Sequence, residues 1–286
     1  NSKFLSAGRC QTPTLRLVYD RYMDSAKKKE KLQYKIQGMF LPKPSTISAT
    51  LNTMFDKEDV VIAFLESSKK FSHVLNVIPK KEKTTKAPTP YNTSQLLQNI
   101  SGALRISPKH VMDCCQKLYQ DGYITYMRTE SKKYAKGFLE KMGEYIAKDY
   151  GNEYIGSFSK IENKDNNNPH EAVRVTNIEC ARITQSDETL NSVYQLVRKR
   201  TIESCMSDYK YEDNGIEITA PTNSKYIASI EIPSFLGWKR YNCTIPDMNK
   251  LRETSTTQLQ MAELYNKKVV SFLKISCMLH MKEMET

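Results

Sequence analysis

Tyr123-Ile124-Thr125-Tyr126-Met127-Arg128-Thr129-Glu130-Ser131 is the stretch on which the reading of this chain turns. It follows Asp121-Gly122, a pair that stops a helical pattern, and Tyr123–Met127 reads as extended chain. On an extended backbone, residues two apart project to the same side. Arg128 can therefore hold a phosphate against the hydroxyl of Tyr126. Taken alone, such a pair is far more often a packed tyrosine beside a solvated arginine.

The residues before it repeat at helical spacing. Leu96, Leu97, Ile100, Ala103 and Leu104 mark one helix. Ser107-Pro108 supplies an N-cap and a first-turn proline for a second, with Val111, Met112, Cys115, Leu118 and Tyr119 on one face. Two short helices, a turn and an extended segment predict a helix-turn-helix or winged-helix unit. After it, a helix is predicted over 132–149 through Phe138, Leu139, Met142, Tyr145 and Ile146. Another is predicted over 187–206 through Leu190, Val193, Leu196, Val197 and Ile202, beyond the polar loop Asn163–Asn168.

The outer segments are strand-like. Tyr34–Gln37, Ile47–Phe55, His73–Pro79, Ile216–Thr219 and Tyr226–Ile232 alternate or are β-rich. Pro42 and Pro44 mark a turn, and Asp56 is placed to cap a helix over 57–70 with Val60, Val61, Phe64 and Leu65 inward. A helix over 14–31 carries Leu15, Leu17, Val18 and Tyr22 as an apolar stripe, closed by Lys27-Lys28-Lys29. Lys80–Pro90 is basic, polar and proline-punctuated, and reads as a boundary. Strands, then helices, then strands predict an α+β multidomain chain: a split β domain with a helical domain inserted into it.

Composition bounds the partners. The 286 residues include 43 Lys and Arg against 32 Asp and Glu, a net charge of +11, with 39% hydrophobic residues. That is enough apolar content for packed cores, and a charge balance suited to a polyanion. No apolar run approaches the roughly 20 residues of a bilayer span, and Asn1-Ser2-Lys3-Phe4 shows no signal pattern. Seven cysteines, Cys10, Cys114, Cys115, Cys180, Cys205, Cys243 and Cys277, make no C-x-x-C pair, so neither a disulfide framework nor a zinc site is expected. Cys114 and Cys115, inside a helical pattern, read as small core hydrophobes.

Two further stretches carry candidate chemistry. In Pro169-His170-Glu171-Ala172-Val173-Arg174, a helical reading puts His170 and Arg174 one turn apart, with His170 able to move protons near neutral pH. In Ser6-Ala7-Gly8-Arg9-Cys10-Gln11-Thr12-Pro13-Thr14-Leu15, Gly8 permits close backbone approach and Arg9 and Gln11 can reach a DNA backbone.

Together the three stretches resemble type IA DNA topoisomerases, in the same order. Ser6–Leu15 is similar to the family's S-A-G-R-V-Q-[ST]-P-T-L segment, with Cys10 for Val. Thr93–Ser131 is similar to its T-T-S-x-L-Q-Q … A-Q-x-L-Y-E-x-G-Y-I-T-Y-M-R-T-D-S region. His170–Thr176 resembles H-E-A-I-R-P-T. Gln120 stands where an acid is common, Val175 replaces Pro, Glu130 replaces Asp and Pro169 replaces Ala. The Met127-Arg128-Thr129 run is closer to the bacterial topoisomerase I branch than to the decatenating branch.

The resemblance implies the following. Residues 1–31 belong to a domain supporting the active site. Residues 32–84 and 211–275 are the two halves of a β-rich arch, and 85–210 a mobile helical, winged-helix-like domain bearing the catalytic tyrosine. Residues 276–286 return toward the supporting domain. The chain is expected to be a central gate fragment without the Toprim domain, probed alone as inactive. Tyr126 is the implied nucleophile, forming a 5′-phosphotyrosine on single-stranded DNA, and Arg128 stabilises the phenolate and the developing phosphorane charge. Arg9, Gln11, Gln116, Thr129, His170 and Arg174 are implied DNA contacts. Because free tyrosine has a pKa near 10, only about one in a thousand is ionised at pH 7, so such stabilisation matters. Mg²⁺ is expected in the full-length enzyme with ligands outside this chain, with no ATP and no zinc here. The implied partner is the single-stranded segment of negatively supercoiled DNA. A monomer is implied, with no membrane, in an intracellular DNA-associated setting: cytoplasm, nucleoid, or a host compartment for a viral source. Two other readings stay open. A non-catalytic winged-helix DNA-binding module leaves the Tyr126 motif unexplained. A tyrosine recombinase places its tyrosine after the histidine, whereas Tyr126 precedes His170.

Overall fold

Cap chemistry and apolar spacing account for most elements of the computed structural model, which describes residues 8–27, 32–41, 45–164, 170–184, 187–270 and 272–281. Ser6, Ala7, Lys28, Lys29, Pro42, Pro44, Pro169, residues 165–168 of the polar loop and 282–286 lie outside the described residues. In chain order the elements are α1 (Gln11–Lys27), β1 (Leu32–Phe40), β2 (Ile47–Leu51), α2 (Glu58–Lys70), β3 (His73–Val77) and β4 (Lys81–Thr85). Then come α3 (Thr93–Leu104), α4 (Pro108–Gln120), α5 (Lys136–Asp149), α6 (Glu188–Cys205), β5 (Tyr209–Thr219), β6 (Lys225–Phe235), α7 (Ile245–Leu264), β7 (Val269–Val270) and β8 (Phe272–Met281). Helices and antiparallel strands mix as an α+β chain. It divides into two units, one of residues 1–79, 214–230 and 257–286, the other of residues 80–213 and 231–256.

In the first unit the strand order is β7-β3-β5-β6-β2-β1-β8, every registered pair antiparallel. The longest ladder joins β1 to β8, from Leu32↔Met281 to Phe40↔Phe272. Residues 276–281 thus continue a strand. Ile36, Phe40, Ala49, Leu51, Leu75, Ile216, Ile218 and Tyr226 fill the core. Alternation put Ile36, Ile216 and Ile218 on the buried face, as period-2 patterning requires. Two local expectations fail here. Lys57, not Asp56, precedes α2 and makes no side-chain cap, while Asp56 accepts from Gln33. Val61 and Phe64 are buried but Val60 is 45% exposed, because three-to-four spacing turns it away from the sheet. The α1 stripe is also not buried within the described residues: Leu15, Leu17, Val18 and Tyr22 are 60–71% exposed.

The second unit has two apolar clusters that share α6. The first gathers Leu96 and Ile100 of α3, Val111, Cys114, Cys115 and Leu118 of α4, and Leu190, Val193, Tyr194 and Val197. The second gathers Leu139, Met142, Tyr145 and Ile146 of α5 with Ile202, Cys205 and Met206. The Ser107 cap read from sequence is present, accepting from the His110 N–H, and the structure adds Asp187, which accepts from the N–H groups of Thr189 and Leu190 at the start of α6. Burial pushes the Cys115 thiol up to about 12 and raises that of Cys114, so the pair behaves as packed hydrophobes.

Two further elements were not foreseen. Lys81–Thr85, inside the expected boundary, is β4, antiparallel to residues 209–213 of β5. All five of its side chains are exposed, so the backbone ladder and the Lys83–Asp213 ion pair hold it, and polar composition hid it. Within the stretch expected to be β-rich, residues 245–264 form α7. Thr244 accepts from the Asp247 N–H at 3.2 Å, and Asp247 accepts from the Thr244 N–H at 3.0 Å, a reciprocal cap. The Thr244 hydroxyl, which also donates to the Asp247 carboxylate, and then the Thr244 N–H hold that carboxyl below its usual range. Thr244→Ala is expected to lower stability by about 1 kcal/mol and to reduce helix content by circular dichroism. An unchanged unfolding midpoint would remove that cap from the account.

Candidate active site

Segment 122–134 is tied to two others within the second unit. On one side runs the His170–Thr176 stretch, which is extended and not helical. Val173 bridges Tyr91 and Val175 bridges Ile124, pairings that a helix would forbid. The expected one-turn relation between His170 and Arg174 therefore does not hold. Thr125 makes the knot: its N–H donates to Arg174 O at 2.9 Å, and its Oγ1 donates to Ala172 O at 3.1 Å and accepts from the Arg174 N–H at 3.0 Å. The Thr176 N–H donates to Tyr123 O, and its hydroxyl to Gly122 O. Beyond the stretch, the buried Arg198 guanidinium donates to Ile178 O and to the hydroxyls of Tyr145 and Tyr241, anchoring that loop on α6.

On the other side Thr93 acts as a clamp. Its Oγ1 donates to Met127 O at 2.8 Å and accepts from the Thr129 N–H at 2.8 Å, while its own N–H donates to Thr129 O at 2.9 Å. Asn92, which caps α3, also donates to the Glu130 carboxylate at 3.2 Å. Thr93→Val keeps the shape and leaves those groups without the hydroxyl. An expected loss of about 1–3 kcal/mol is readable by denaturant unfolding. Faster proteolysis within 123–131 is expected alongside it.

Between these anchors the chain alternates. Met127 is fully buried, whereas Tyr126 is 43% exposed and Arg128 is exposed on either side of it. The two side chains singled out from sequence thus point away from the core together. The Tyr126 ring meets Tyr119 of α4 edge-on, centroids 5.3 Å apart and planes at 63°. Gln116 is half-buried, three residues before Tyr119 and so on the same helix face. His170 is exposed.

Thr129 and Arg174 are already engaged. Thr129 is buried and its Oγ1 accepts from the Ser131 N–H at 3.1 Å. The Arg174 guanidinium forms a two-pronged pair with Glu171, at 2.9 and 2.8 Å, and lies 4.0 Å over the Phe138 ring. Arg9 and Gln11 belong to the other unit, exposed at the start of α1. Thr93, Thr125 and Tyr119 went unassigned in the sequence reading. Thr93 and Tyr119 lie inside motif blocks, but their contacts come from tertiary packing. Among the described residues no three His, Cys, Asp or Glu side chains gather as a metal-holding group.

Residues 1–278 match the family described as DNA topoisomerase. DNA topoisomerase 1 of Aquifex aeolicus is 28% identical over 272 residues, covering 94% of this chain and 49% of that protein. DNA topoisomerase 1 of Helicobacter pylori strain J99 is 33% identical over 238 residues, covering 76% of this chain and 32% of its own length. The solved structure of full-length topoisomerase I from Thermotoga maritima shares the fold with a TM-score of 0.68 at 23% identity, over 99% of this chain and 47% of that one. The chain thus spans half or less of the length of these relatives.

Proposed function

The chain belongs to the DNA topoisomerase family, and on that premise we propose that it is the central gate region of a type IA enzyme in which Tyr126 cuts and holds one DNA strand. The observation that carries this is the exposed Tyr126–Arg128 pair standing on either side of the buried Met127. Residues 32–84 and 211–275 are proposed as the arch, and 85–210 as the mobile winged-helix-like domain.

The reaction is a transesterification. The Tyr126 phenol loses its proton to solvent as its oxygen attacks a backbone phosphorus of single-stranded DNA. The bond from phosphorus to the 3′-oxygen breaks, and that oxygen takes a proton. A 5′-phosphotyrosine and a 3′-hydroxyl result. The phosphodiester energy is kept in the new ester, so reversal reseals the strand without a nucleotide cofactor. Between the two steps another strand passes, and superhelical strain drives net relaxation. Arg128 is assigned to the charge that develops on phosphorus, where a fixed cation contributes most. His170 contacts a phosphate or hands a proton to the 3′-oxygen. Arg9, Gln11 and Gln116 are assigned to the DNA backbone. Thr129 and Arg174 serve the same DNA surface by shaping it: one holds the turn at Ser131, the other stiffens the Glu171–Val175 strand. Magnesium is proposed to be held outside this chain, and no step above passes through it. The substrate is the single-stranded segment of negatively supercoiled DNA, taken by a monomer inside the cell.

The deciding experiment is trapping. Short single-stranded oligonucleotides are mixed with the full-length enzyme and run on denaturing gels, with Tyr126→Phe beside it. An adduct confined to the wild type supports the reading. Binding without any adduct points to the non-catalytic winged-helix alternative. An adduct in the variant moves the nucleophile elsewhere.

A further inference from the structure

We propose that Tyr119 is a positioning residue that sets the orientation of the Tyr126 phenol. This rests on Tyr126 being the nucleophile. The backbone around Tyr126 is pinned on both sides, by Thr125 to the 172–174 strand and by Met127 O to Thr93. Pinned backbone does not fix a side chain that is 43% exposed. Among the described residues the Tyr126 hydroxyl makes no hydrogen bond, and the ring has one aromatic partner, Tyr119.

Tyr119 is well placed for the task. It sits in the last turn of α4, whose start is fixed by the Ser107 cap and Pro108. The preceding Leu118, and Cys115 one turn earlier, are completely buried, so the helix under Tyr119 is anchored in the core. Its own ring is 41% exposed, so it is not itself core filling. Edge-to-face geometry is the favoured arrangement of two aromatic rings. Such a pair biases the Tyr126 rotamers toward one orientation. In-line attack on phosphorus requires that bias, since reaction proceeds only from near-attack geometry.

The consequence is a split between chemistry and binding. Removing the Tyr119 ring is expected to slow adduct formation about 3- to 10-fold at saturating oligonucleotide. The half-saturating concentration is expected to stay the same. Tyr119→Phe keeps the ring and is expected to react at the wild-type rate.

The test uses Tyr119→Leu, Tyr119→Gln and Tyr119→Phe in the full-length enzyme, with rates and half-saturation measured separately. A second readout uses the 286-residue chain alone. The NMR signal of the Tyr126 ring, assigned by its disappearance in Tyr126→Phe, is expected to shift in both ringless variants and to stay near its place in Tyr119→Phe. Ringless variants as fast as the wild type overturn the proposal. So does an effect lying wholly in half-saturation, which would make Tyr119 a DNA contact, or a Phe variant as slow as Leu. If Tyr126→Phe still forms the adduct, the nucleophile assignment itself falls. An inert Tyr126→Phe beside fully active ringless Tyr119 variants removes the positioning role alone.

Discussion

Tyr126→Phe is expected to lower covalent adduct formation by about four orders of magnitude or more, to the floor of the assay, since nothing substitutes for a lost nucleophile. The same variant is expected to bind single-stranded DNA as the wild type does. The substitution removes one oxygen and keeps the ring. The ring contact to Tyr119 therefore survives. The hydroxyl has no hydrogen bond among the described residues and the side chain is 43% exposed, so no buried partner is left unsatisfied. Stability should change by less than about 0.5 kcal/mol. Arg128→Ala is the informative companion. It leaves the nucleophile in place and removes a charge, so it should slow cleavage while leaving a detectable adduct. A residual adduct in Tyr126→Phe would mean that another of the exposed hydroxyls attacks, and the reading of segment 123–131 would have to be withdrawn.

How much of this was legible without coordinates depended on how local the cause was. Ser107-Pro108 announced its helix because a cap acts within three residues, and the 187–206 helix was announced by the spacing of its apolar residues. The outward aspect of Tyr126 and Arg128 followed from alternation alone. The same logic misjudged Asp56, where a plausible cap residue was one position too early. Lys81–Thr85 could not be read as a strand, since its ladder partners are residues 209–213 and all five of its side chains are exposed. The helix over 245–264 lacked an apolar stripe because it buries little beyond Ser255 and Ala262. Its signal was Thr244-Ile245-Pro246-Asp247, a capping pattern with an early proline. His170–Arg174 looked helical in isolation, and only pairing with Tyr91 and Ile124 makes it extended. Thr93 binds Met127 O across 34 residues of sequence, a separation no local rule bridges.

Gly156→Ala and Gly237→Ala are expected to give the largest losses of stability in the second unit. The two glycines press on one stretch, Cys205–Asp208, which leads from α6 into β5. The Gly156 N–H donates to Cys205 O, the Ser207 N–H to Tyr154 O and the Trp238 N–H to Ser207 O, at 2.8–2.9 Å. A Cβ on Gly156 would lie 2.4 Å from Met206 O, and one on Gly237 would lie 2.2 Å from Asp208 O. Both obstacles are backbone, which cannot rotate away as a side chain does. Gly237 also has φ +51°, a region where a side chain costs about 1 kcal/mol more. Overpacking of this kind costs roughly 1–3 kcal/mol and more when the backbone itself must move. We therefore expect roughly 2–4 kcal/mol for Gly156→Ala and 3–5 for Gly237→Ala, measured as shifts in the denaturant midpoint. Gly102→Ala is the control of opposite sign. It lies within α3 with nothing within 4 Å of the added methyl, so it should stabilise by about 0.5–1 kcal/mol. The loss should also reach the site. Displacing Cys205–Asp208 moves the end of α6, whose Arg198 holds Ile178 O just beyond the strand paired to Thr125. Adduct formation should thus weaken in Gly156→Ala under conditions where the protein is still mostly folded. Midpoints equal to that of the wild type would mean that the chain does not pass between these two glycines as described.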